Sequence, residues 1–393
     1  MVRTVPLAFK AYAKAPATTT LTELVDLGML DGFEHTTKMP GGFGRCTFVL
    51  PGSEDIYWEW RTNRLLFRHR LEEHGGYVVW EGRLEDVDLL DFWKMRVVLR
   101  GYWSNFTDAT YNPDYDTTGD VIVKDLRDTG LHADTDQLST SDAEITAPGV
   151  TIDVKYDDDW TVWRLLTDAS RGILSWGDSS DNRMDLAVWE DRVVHYKARN
   201  PTAVDWITYI KPEHREAVDR LPARLSWRNV ANAVDVAYID TSGSPSTKSR
   251  AGYAVDQPSI DKYIRREFHI ARQGDSDAAT AQSRRDVELA ARKDLQQATD
   301  GMVVTQVWDT NGAEWPLCRV RAGDVLRVVD FTPKTGDLGT VTLDGYRTFF
   351  IEETTCRHDQ GVLIVRPDRD GTTLSSLLAK GGPLRGSEPN IGL

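Results

Sequence analysis

Cysteine is scarce in this chain of 393 residues, and the three that occur, Cys46, Cys318 and Cys356, are far apart. They are too few for a disulfide scaffold, and no pair has the Cys-x-x-Cys spacing typical of zinc sites. No apolar run approaches the roughly 18 residues needed to cross a bilayer. The N-terminal stretch also lacks the apolar core of a secretion signal. The sequence therefore predicts a soluble, unexported chain with no membrane segment.

Basic residues are outnumbered, and the formal net charge is −14. The whole excess lies between Asp108 and Asp191, where 20 Asp and Glu accompany 6 Lys and Arg. An acidic surface repels the phosphate backbone, so specific nucleic-acid recognition is disfavoured. A solvated acidic surface that maintains solubility is the simpler interpretation of this segment.

The spacings that mark common enzyme sites are missing. The glycines at 41–44 have no Lys-Ser/Thr after them, and we interpret them as a turn before a strand. Ser175 lies outside any Gly-x-Ser-x-Gly sequence. None of the eight histidines has His-Glu-x-x-His or His-x-His spacing; they are His35, His69, His74, His132, His195, His214, His269 and His358. The sequence therefore predicts no enzyme activity, and no catalytic, cofactor-binding or metal-binding residues.

Polar residues alternate from Asn112 to Asp120, as calcium ligands alternate in a binding loop. An EF-hand needs Gly at its sixth position and Glu at its twelfth, where this chain has Thr117 and Val123. A solvated loop is the preferred interpretation, and a calcium site remains the alternative.

Three consecutive carboxylates, Asp157–Asp159, precede a helical pattern. They could supply paired carboxylates for glycan hydrolysis, helped by the many tryptophans. Adjacent side chains at a helix start diverge, however, so N-terminal capping of a helix over 160–173 is favoured.

Periodicity predicts a mainly β chain with a few helices. The early strands are separated by turn residues, as in a sandwich or barrel. The predicted strands are 45–50, 55–60, 64–69, 77–80, 184–192, 193–197, 225–227, 233–239, 264–270 and 325–330. The predicted helices are 120–132, 160–173 and 277–298, with apolar faces through Val121 and Ile122, through Trp163 and Leu166, and through Val287, Ala291 and Leu295 respectively.

Five short motifs occur in a fixed order. They are Trp80-Glu-Gly-Arg83, Trp189-Glu-Asp-Arg192, Asn232-Ala-Val-Asp-Val-Ala-Tyr238, Ser259-Ile-Asp-Lys-Tyr-Ile-Arg-Arg-Glu267 and Arg319-Val-Arg-Ala-Gly-Asp324. The last leads into the alternating strand at 325–330, a pattern typical of a barrel corner. In this order the chain resembles the baseplate or tail hub proteins of long-tailed, siphovirus-like bacteriophages.

The resemblance implies an α+β, mainly β fold, with two tube-forming antiparallel β-barrels and a mixed α/β domain between them. The expected bounds are a first barrel at 1–105, an acidic mixed domain at 106–195, a second barrel at 196–276 and 299–370, an amphipathic helix insertion at 277–298 and a flexible arm at 371–393. The implied protein is a homotrimeric ring in the phage tail tip, made in the host cytoplasm. Its implied partners are the distal tail or tail tube protein, the tape measure protein and a tip or central fibre protein. DNA would pass through a bore of neutral or negative charge.

Two other functions stay open. A carbohydrate-active or carbohydrate-binding tail-tip protein would use exposed Trp58, Trp60 and Trp103 to stack on sugars. A distal tail adaptor would share the first barrel, but adaptors usually lack the late Arg-Ala-Gly-Asp barrel. The hub is therefore the preferred hypothesis.

Overall fold

The computed structural model describes most of the chain in segments. The described residues are 9–14, 21–27, 31–51, 54–63, 68–73, 76–91, 93–111, 114–131, 138–147, 151–155, 160–170, 184–199, 203–209, 218–220, 223–226, 230–240, 247–276, 278–293, 296–299, 301–333 and 343–367. Ser175, the arm at 371–393 and the acids at 157–159 lie outside these ranges.

Strands dominate the described residues, which confirms the mainly β, α+β prediction. The strands are β1 Phe9–Lys14, β2 Leu21–Leu27, β3 Asp31–Lys38, β4 Gly41–Pro51, β5 Arg68–Glu73, β6 Val78–Asp91, β7 Lys94–Arg100, β8 Thr110–Tyr111, β9 Asp114–Thr118, β10 Thr151–Lys155, β11 Trp160–Thr161, β12 Met184–Val188, β13 Val194–Ala198, β14 Trp206–Tyr209, β15 Val218–Arg220, β16 Ala223–Ser226, β17 Ala233–Asp240, β18 Thr247–Arg250, β19 Ala254–Val255, β20 Glu267–Ser276, β21 Gln296–Thr299, β22 Met302–Val304, β23 Val307–Asp309, β24 Glu314–Trp315, β25 Val325–Pro333, β26 Leu343–Arg357 and β27 Val362–Pro367. The helices are α1 Glu54–Asn63, α2 Gly119–Leu131, α3 Val162–Ser170, α4 Gln257–Tyr263 and α5 Ala278–Arg292. Short 3-10 helices cover Tyr102–Thr107 and Leu317–Arg319.

The chain divides into two compact units. The first unit contains 1–170, 184–222 and 299–368, and the second contains 171–183, 223–298 and 369–393. Strands from the beginning and the end of the sequence therefore share the first unit.

One continuous ladder of hydrogen-bonded strands organises the first unit. It runs β2–β1–β5–β6–β7–β4–β3–β26–β27–β22–β15, antiparallel at every step. At its centre β3 lies between β4 and β26, so early and late parts of the chain pair directly. The buried core follows this ladder from Phe33 through Trp80 to Val365.

Strand β26 is long enough to pair in two places. Its first half pairs with β25, which in turn pairs in parallel with β14. Its second half pairs with β27 on one edge and β3 on the other. This strand therefore links the turn before β25 to the central ladder.

The stretch predicted as a strand at 55–60 is instead helix α1. Glu54 and Asp55 lie in its first turn and Arg61 in its last, which suits the helix dipole. Trp60 is the buried side chain of this helix, with Tyr57 one turn earlier packed against the same core. The strand prediction is wrong because a short aromatic run with few buried side chains fits both the two-residue period of a strand and the 3.6-residue period of a helix.

The predicted helices exist, but their ends and faces differ. In α2 the buried side chains are Ile122, Val123, Leu126 and Arg127, whereas Val121 is 46% exposed. Helix α5 ends at Arg292 rather than at 298, and among its described side chains Ala281 and Glu288 are buried. The side chains of Val287, Ala291 and Leu295, predicted as its apolar face, lie outside the described residues. Glu288 is buried because Arg292, one turn later, donates to its carboxylate at 2.9 Å.

Helix α3 starts later than expected. Residues 160–161 form β11, and the Thr161 hydroxyl oxygen accepts from Arg164 N at 3.3 Å. A threonine therefore caps this helix, and its first turn contains no acid. The acids at 157–159, predicted to cap this helix, lie outside the described residues.

The described residues of the second unit form a four-stranded sheet, the separate β16–β21 pair and helices α4 and α5. Strand β17 pairs in parallel with β20 and antiparallel with β18 and β19. Its core includes Val234, Val236, Tyr238 and Ile270, against which Ala281 of α5 packs. The predicted strand at 264–270 begins later, at Glu267, because Ile264 has a left-handed backbone with φ of 65°.

Within the described part of the chain, every helix is too short or too polar to span a bilayer.

The glycines at 41–44 belong to β4 rather than to a turn, which corrects the sequence interpretation. Gly42 has a φ of +87°, and a Cβ there would lie 2.3 Å from Val188 O, where β12 joins β4 in parallel. Gly42→Ala should therefore lower the free energy of unfolding by at least about 3 kcal/mol, since the paired backbones must separate. Chemical denaturation measures this loss.

Gly76→Ala is the matched control. Gly76 has a similar φ of +78°, but nothing lies within 4 Å of an added Cβ. The loss there should be about 1 kcal/mol, which is the cost of the left-handed backbone alone. Equal losses at the two glycines would contradict the close approach of β4 and β12.

Candidate functional site

The turn at 321–324 contains a buried cation that joins distant parts of the first unit. Arg321 donates from Nη1 to both Glu190 carboxylate oxygens, at 2.9 and 3.2 Å. Its Nη2 donates to Val78 O at 3.1 Å and to Glu190 Oε1 at 3.3 Å. Arg321, Glu190 and their partners are called the Arg321 clasp below. It connects β6, the β12–β13 turn and the turn before β25.

Aromatic rings surround the Arg321 guanidinium. Its central carbon lies 5.0 Å from the Phe43 ring centre, 5.3 Å from Tyr77 and 5.0 Å from Trp189. Such faces attract a cation and exclude water, which strengthens the pairing with Glu190. Glu190 belongs to the Trp189–Arg192 motif, so two of the sequence motifs meet here.

Asp324 closes the same turn with its side chain. Its carboxylate accepts from Trp206 Nε1 at 2.7 Å and from Arg321 N at 2.8 Å. Burial raises the pKa of this carboxyl to about 6, although the two hydrogen bonds lower it and the Asp205 charge raises it further. The aspartate therefore holds the turn while carrying a charge that burial disfavours.

The middle of the turn packs against β3. Ala322 N donates to the buried Thr37 hydroxyl at 2.7 Å, and Thr37 shares a 2.6 Å hydrogen bond with Thr354 of β26. Gly323 has a φ of +96°, and a Cβ there would lie 2.5 Å from Met39 Cε. The backbone conformation favours glycine here, whereas the flexible Met39 side chain could move away from an added Cβ.

The Trp80–Arg83 motif forms a second ionic group in the same unit. Glu81 is fully buried and accepts from Arg68 at 2.5 Å, Arg70 at 2.6 Å and the Tyr102 hydroxyl at 2.5 Å. Arg83 pairs with Glu85 and with Asp108, each at 2.6 Å. This motif therefore stabilises the β5–β6 pair and the segment after β7.

The two remaining motifs meet in the second unit through Asn232. Its side-chain amide donates to Ile264 O at 2.8 Å, and its Oδ1 accepts from Arg266 N at 2.7 Å. This clamp holds the left-handed Ile264, whose side chain is 80% exposed. Helix α4 before it is capped by Asp256, which accepts from Ser259 N at 2.9 Å. These two motifs therefore hold the backbone in position, as the motifs of the first unit do.

One group in the first unit has metal-ligand chemistry. One ligand atom each from His35, Cys356 and His358 lies within 4.8 Å of the others. His35 Nδ1 and His358 Nε2 are 2.9 Å apart, in hydrogen-bond contact. Burial lowers the pKa of His35 to about 3, with Arg321 contributing, and burial also lowers that of His358 well below its usual value, so both imidazoles are neutral at pH 7.

The acidic segment is partly neutralised by bases from outside it. Besides the Glu190 and Asp108 pairs, Asp185 pairs with Arg199 at 3.0 Å and Glu144 with Lys197. A count along the sequence therefore overstates the charge excess at the surface of this segment.

The three tryptophans considered for sugar stacking have different environments. Trp58 is 52% exposed, whereas Trp60 is 3% exposed and packs near His69. The face of Trp103 is covered by the Lys38 ammonium, 3.5 Å from the ring centre. Two of the three rings are therefore already engaged within the fold.

The stretch considered for calcium is strand rather than loop. Asp114–Thr118 forms β9 and pairs with β10, and Asp120 pairs with Lys124 at 3.7 Å in the first turns of α2. The solvated-loop interpretation is wrong because Tyr115 and the threonines favour strand pairing with β10. Asn112 lies outside the described residues.

Solved phage tail proteins share this fold over nearly their whole length. A tail protein from Neisseria meningitidis MC58 superposes with a TM-score of 0.57 at 12% identity, covering 93% of this chain and 98% of that one. Prophage tail protein gp18 from Listeria monocytogenes EGD-e gives 0.53 at 10% identity, covering 94% and 98%. The 43 kDa tail protein of prophage MuSo2 from Shewanella oneidensis gives 0.52 at 13% identity, covering 93% and 99%. No protein-family model and no curated protein matches the sequence. These likenesses confirm that the chain has a phage tail protein fold.

Asp324 should give the stability of the first unit a distinct pH dependence. Its pKa is about 6 when folded against 3.8 for an ordinary aspartate, so between these values the folded chain binds a proton that the unfolded chain has released. The contribution of Asp324 to the free energy of unfolding is full below pH 3.8, falls as pH rises, and is lost above about 6. Relative to Asp324→Asn, the wild type should lose up to about 1.4 kcal/mol per pH unit in this window. Parallel pH profiles of the free energy of unfolding for the wild type and Asp324→Asn would contradict this dependence. Asp359→Asn, which changes an exposed carboxylate, is the control.

Arg321→Lys should lower the free energy of unfolding by about 3 kcal/mol. Lysine retains the charge but cannot make the two-oxygen contact with Glu190 and the bond to Val78 O together. Arg96→Lys is the matched control, because Arg96 pairs with Asp88 at 2.7 Å on the surface and should lose less than about 1 kcal/mol. Equal losses in urea denaturation would show that the clasp is not a desolvated site.

Proposed function

We propose that this chain is a structural hub protein of a bacteriophage tail tip. In this role it forms a trimeric ring that continues the tail tube, seats the tip or fibre proteins and lets DNA pass. Its neighbours would be the distal tail or tail tube protein, the tape measure protein and a tip or central fibre protein. The protein would be made in the host cytoplasm and act in the virion.

The observation that carries this proposal is the correspondence with solved tail proteins over almost their full lengths. The chain spans 98–99% of each of these three proteins. The motifs also act as expected of a scaffold, since they hold turns and strand pairs in place. The proposed role is therefore mechanical rather than catalytic.

We further propose that two barrel-like halves of the subunit, at 1–105 and at 196–276 with 299–370, face the tube. Three subunits would then present six similar surfaces to a sixfold tube. In support of this arrangement, β3 of the first half pairs with residues 353–357 of β26 in the second half. The acidic segment at 106–195 would lie at the periphery or at one mouth of the channel.

Exposed apolar side chains support self-assembly of the first unit. Ile56 and Trp58 on α1 are 41% and 52% exposed, and Leu90 and Trp93 at the β6–β7 turn are 49% and 76% exposed. The two elements are neighbours, since Arg61 Nη1 of α1 lies 3.9 Å from Asp86 of β6. Apolar side chains exposed on adjacent elements are typical of surfaces buried by a partner.

A bore that conducts DNA must not hold the phosphates. Unpaired Lys and Arg facing the duplex would bind phosphates and release counterions. The formal charge of −14 makes a neutral or negative bore easy to build. We expect the bore-lining charges to sum to zero or less.

The trimer is tested by measuring the mass of the purified protein with light scattering over a concentration series. Trp93→Glu should convert the trimer to monomer, because burying an unpaired carboxylate at an interface is unfavourable. Val121→Glu replaces another exposed apolar residue, on α2, and should leave the mass unchanged.

A trimer that Trp93→Glu leaves intact would contradict the assembly surface while leaving the hub proposal in place. A hexameric ring in imaged tails would favour the distal tail adaptor instead. Turnover of peptidoglycan or capsule sugar that Asp157→Asn or Asp159→Asn abolishes would favour the carbohydrate-active alternative.

A further inference from the structure

Strand register brings His35, Cys356 and His358 onto one face of the central ladder. His35 lies directly opposite Cys356 across the β3–β26 pair. His358 follows two residues after Cys356, and its backbone N donates to Phe33 O at 3.0 Å, which extends the ladder by one step. Residues two apart on a strand share a face, so the four side chains, including Phe33, form a square.

The square is buried on its core side. Phe33, His35 and Cys356 are at most 3% exposed, and Phe33 stacks on the His358 ring with centres 4.1 Å apart. His358 is the least buried of the three potential ligands. On the alternate strand positions Glu34 pairs with Arg357 at 2.7 Å, outside the square.

We infer that His35, Cys356 and His358 form a zinc-binding site with three protein ligands and a fourth position for water. Imidazole nitrogen and thiolate sulfur are the donors that zinc prefers, and three protein ligands with one open position is an established zinc arrangement. Imidazole and thiolate together also favour zinc over the hard cations calcium and magnesium.

The two ring nitrogens lie close to the separation that zinc requires, and the Cys356 sulfur lies within 4.8 Å of them. Tetrahedral zinc with bonds of 2.0–2.1 Å places two nitrogens about 3.3 Å apart, whereas His35 Nδ1 and His358 Nε2 are 2.9 Å apart. Coordination replaces the hydrogen bond between the two rings. The ring that donated moves its proton to its other nitrogen, and the Cys356 thiol releases its proton to solvent.

Coordination has to overcome the raised pKa of the Cys356 thiol, which burial, Cys318 and Glu34 together hold in its neutral form. The bound metal would cross-link β3 to β26, two strands separated by more than 300 residues of chain.

The alternative is that the three side chains only pack and share the ring-to-ring hydrogen bond. The same atoms are buried with a bound metal and without one, so a measurement of metal binding distinguishes the two alternatives. The inference does not depend on the hub proposal, because the site lies within one chain.

The test uses the full-length protein stripped of metal with a chelator and then titrated with Zn²⁺ or Co²⁺. One metal per chain should bind, and Co²⁺ should show d–d bands of tetrahedral coordination and a thiolate-to-cobalt charge-transfer band. Cys356→Ser should abolish the charge-transfer band and weaken binding by about 100-fold or more, since changes to groups behind the ligands alone cost about 10–100-fold. Zn²⁺ should also raise the melting temperature of the wild type.

Cys318→Ser is the matched control, because Cys318 is also buried but lies outside the group. It should bind Co²⁺ as the wild type does. His358→Gln, at the half-buried end of the site, provides a second variant if Cys356→Ser does not fold, and it should lose affinity to a similar degree. No binding by the wild type, or equal binding by the wild type and the folded ligand variants, would overturn the inference.

Discussion

The ion pair between Arg321 and Glu190 joins three separate parts of the first unit, with the guanidinium largely buried and the carboxylate 35% exposed. Because the rings of Phe43, Tyr77 and Trp189 surround the Arg321 guanidinium, few water molecules can solvate it. Removing the Glu190 carboxylate would therefore leave a largely buried charge unpaired. The pair fixes the β12–β13 turn against the turn before β25, and Val78 O adds β6 to the same contact. Asp324, Thr37 and Thr354 then satisfy the backbone around it. Specific geometry, rather than surplus stability, is what such a buried pair contributes here.

The other polar groups in the interior also hold separate segments of the chain together. Glu81 satisfies Arg68 and Arg70, and Asn232 satisfies the backbone on both sides of Ile264. Each buried polar side chain described in these groups holds two or more segments of chain in register. Burial is the largest cause of the shifted pKa values of Asp324 and His35, and the nearby charges of Asp205 and Arg321 respectively add to it. Perturbed pKa values often mark catalytic sites, but in this chain they accompany groups that brace a scaffold.

Local features of the fold could be predicted from the sequence, whereas contacts between residues far apart in the chain could not. The Arg-Ala-Gly-Asp turn and the strand after it were predictable because glycine chemistry and alternation are local signals. The partner of Arg321 was not, since Glu190 lies more than 100 residues earlier and no periodicity links the two. The α1 helix was missed because aromatic residues at 57, 58 and 60 fit a strand as well as a helix. The group at His35 was missed because the spacings considered contained only cysteines or only histidines as ligands, whereas Cys356-x-His358 mixes the two and its third member lies at the other end of the sequence.

The pairing of β3 with β26 imposes an order on synthesis and folding. Strand β3 ends at Lys38 and β26 begins at Leu343, so the ribosome must deliver most of the chain before the central ladder can close. Until then the free edge of β3 exposes unpaired amides and carbonyls, which invite pairing with another nascent chain. High contact order of this kind also slows closure. Expression at low temperature or with chaperones in excess should therefore favour the native partner over aggregation.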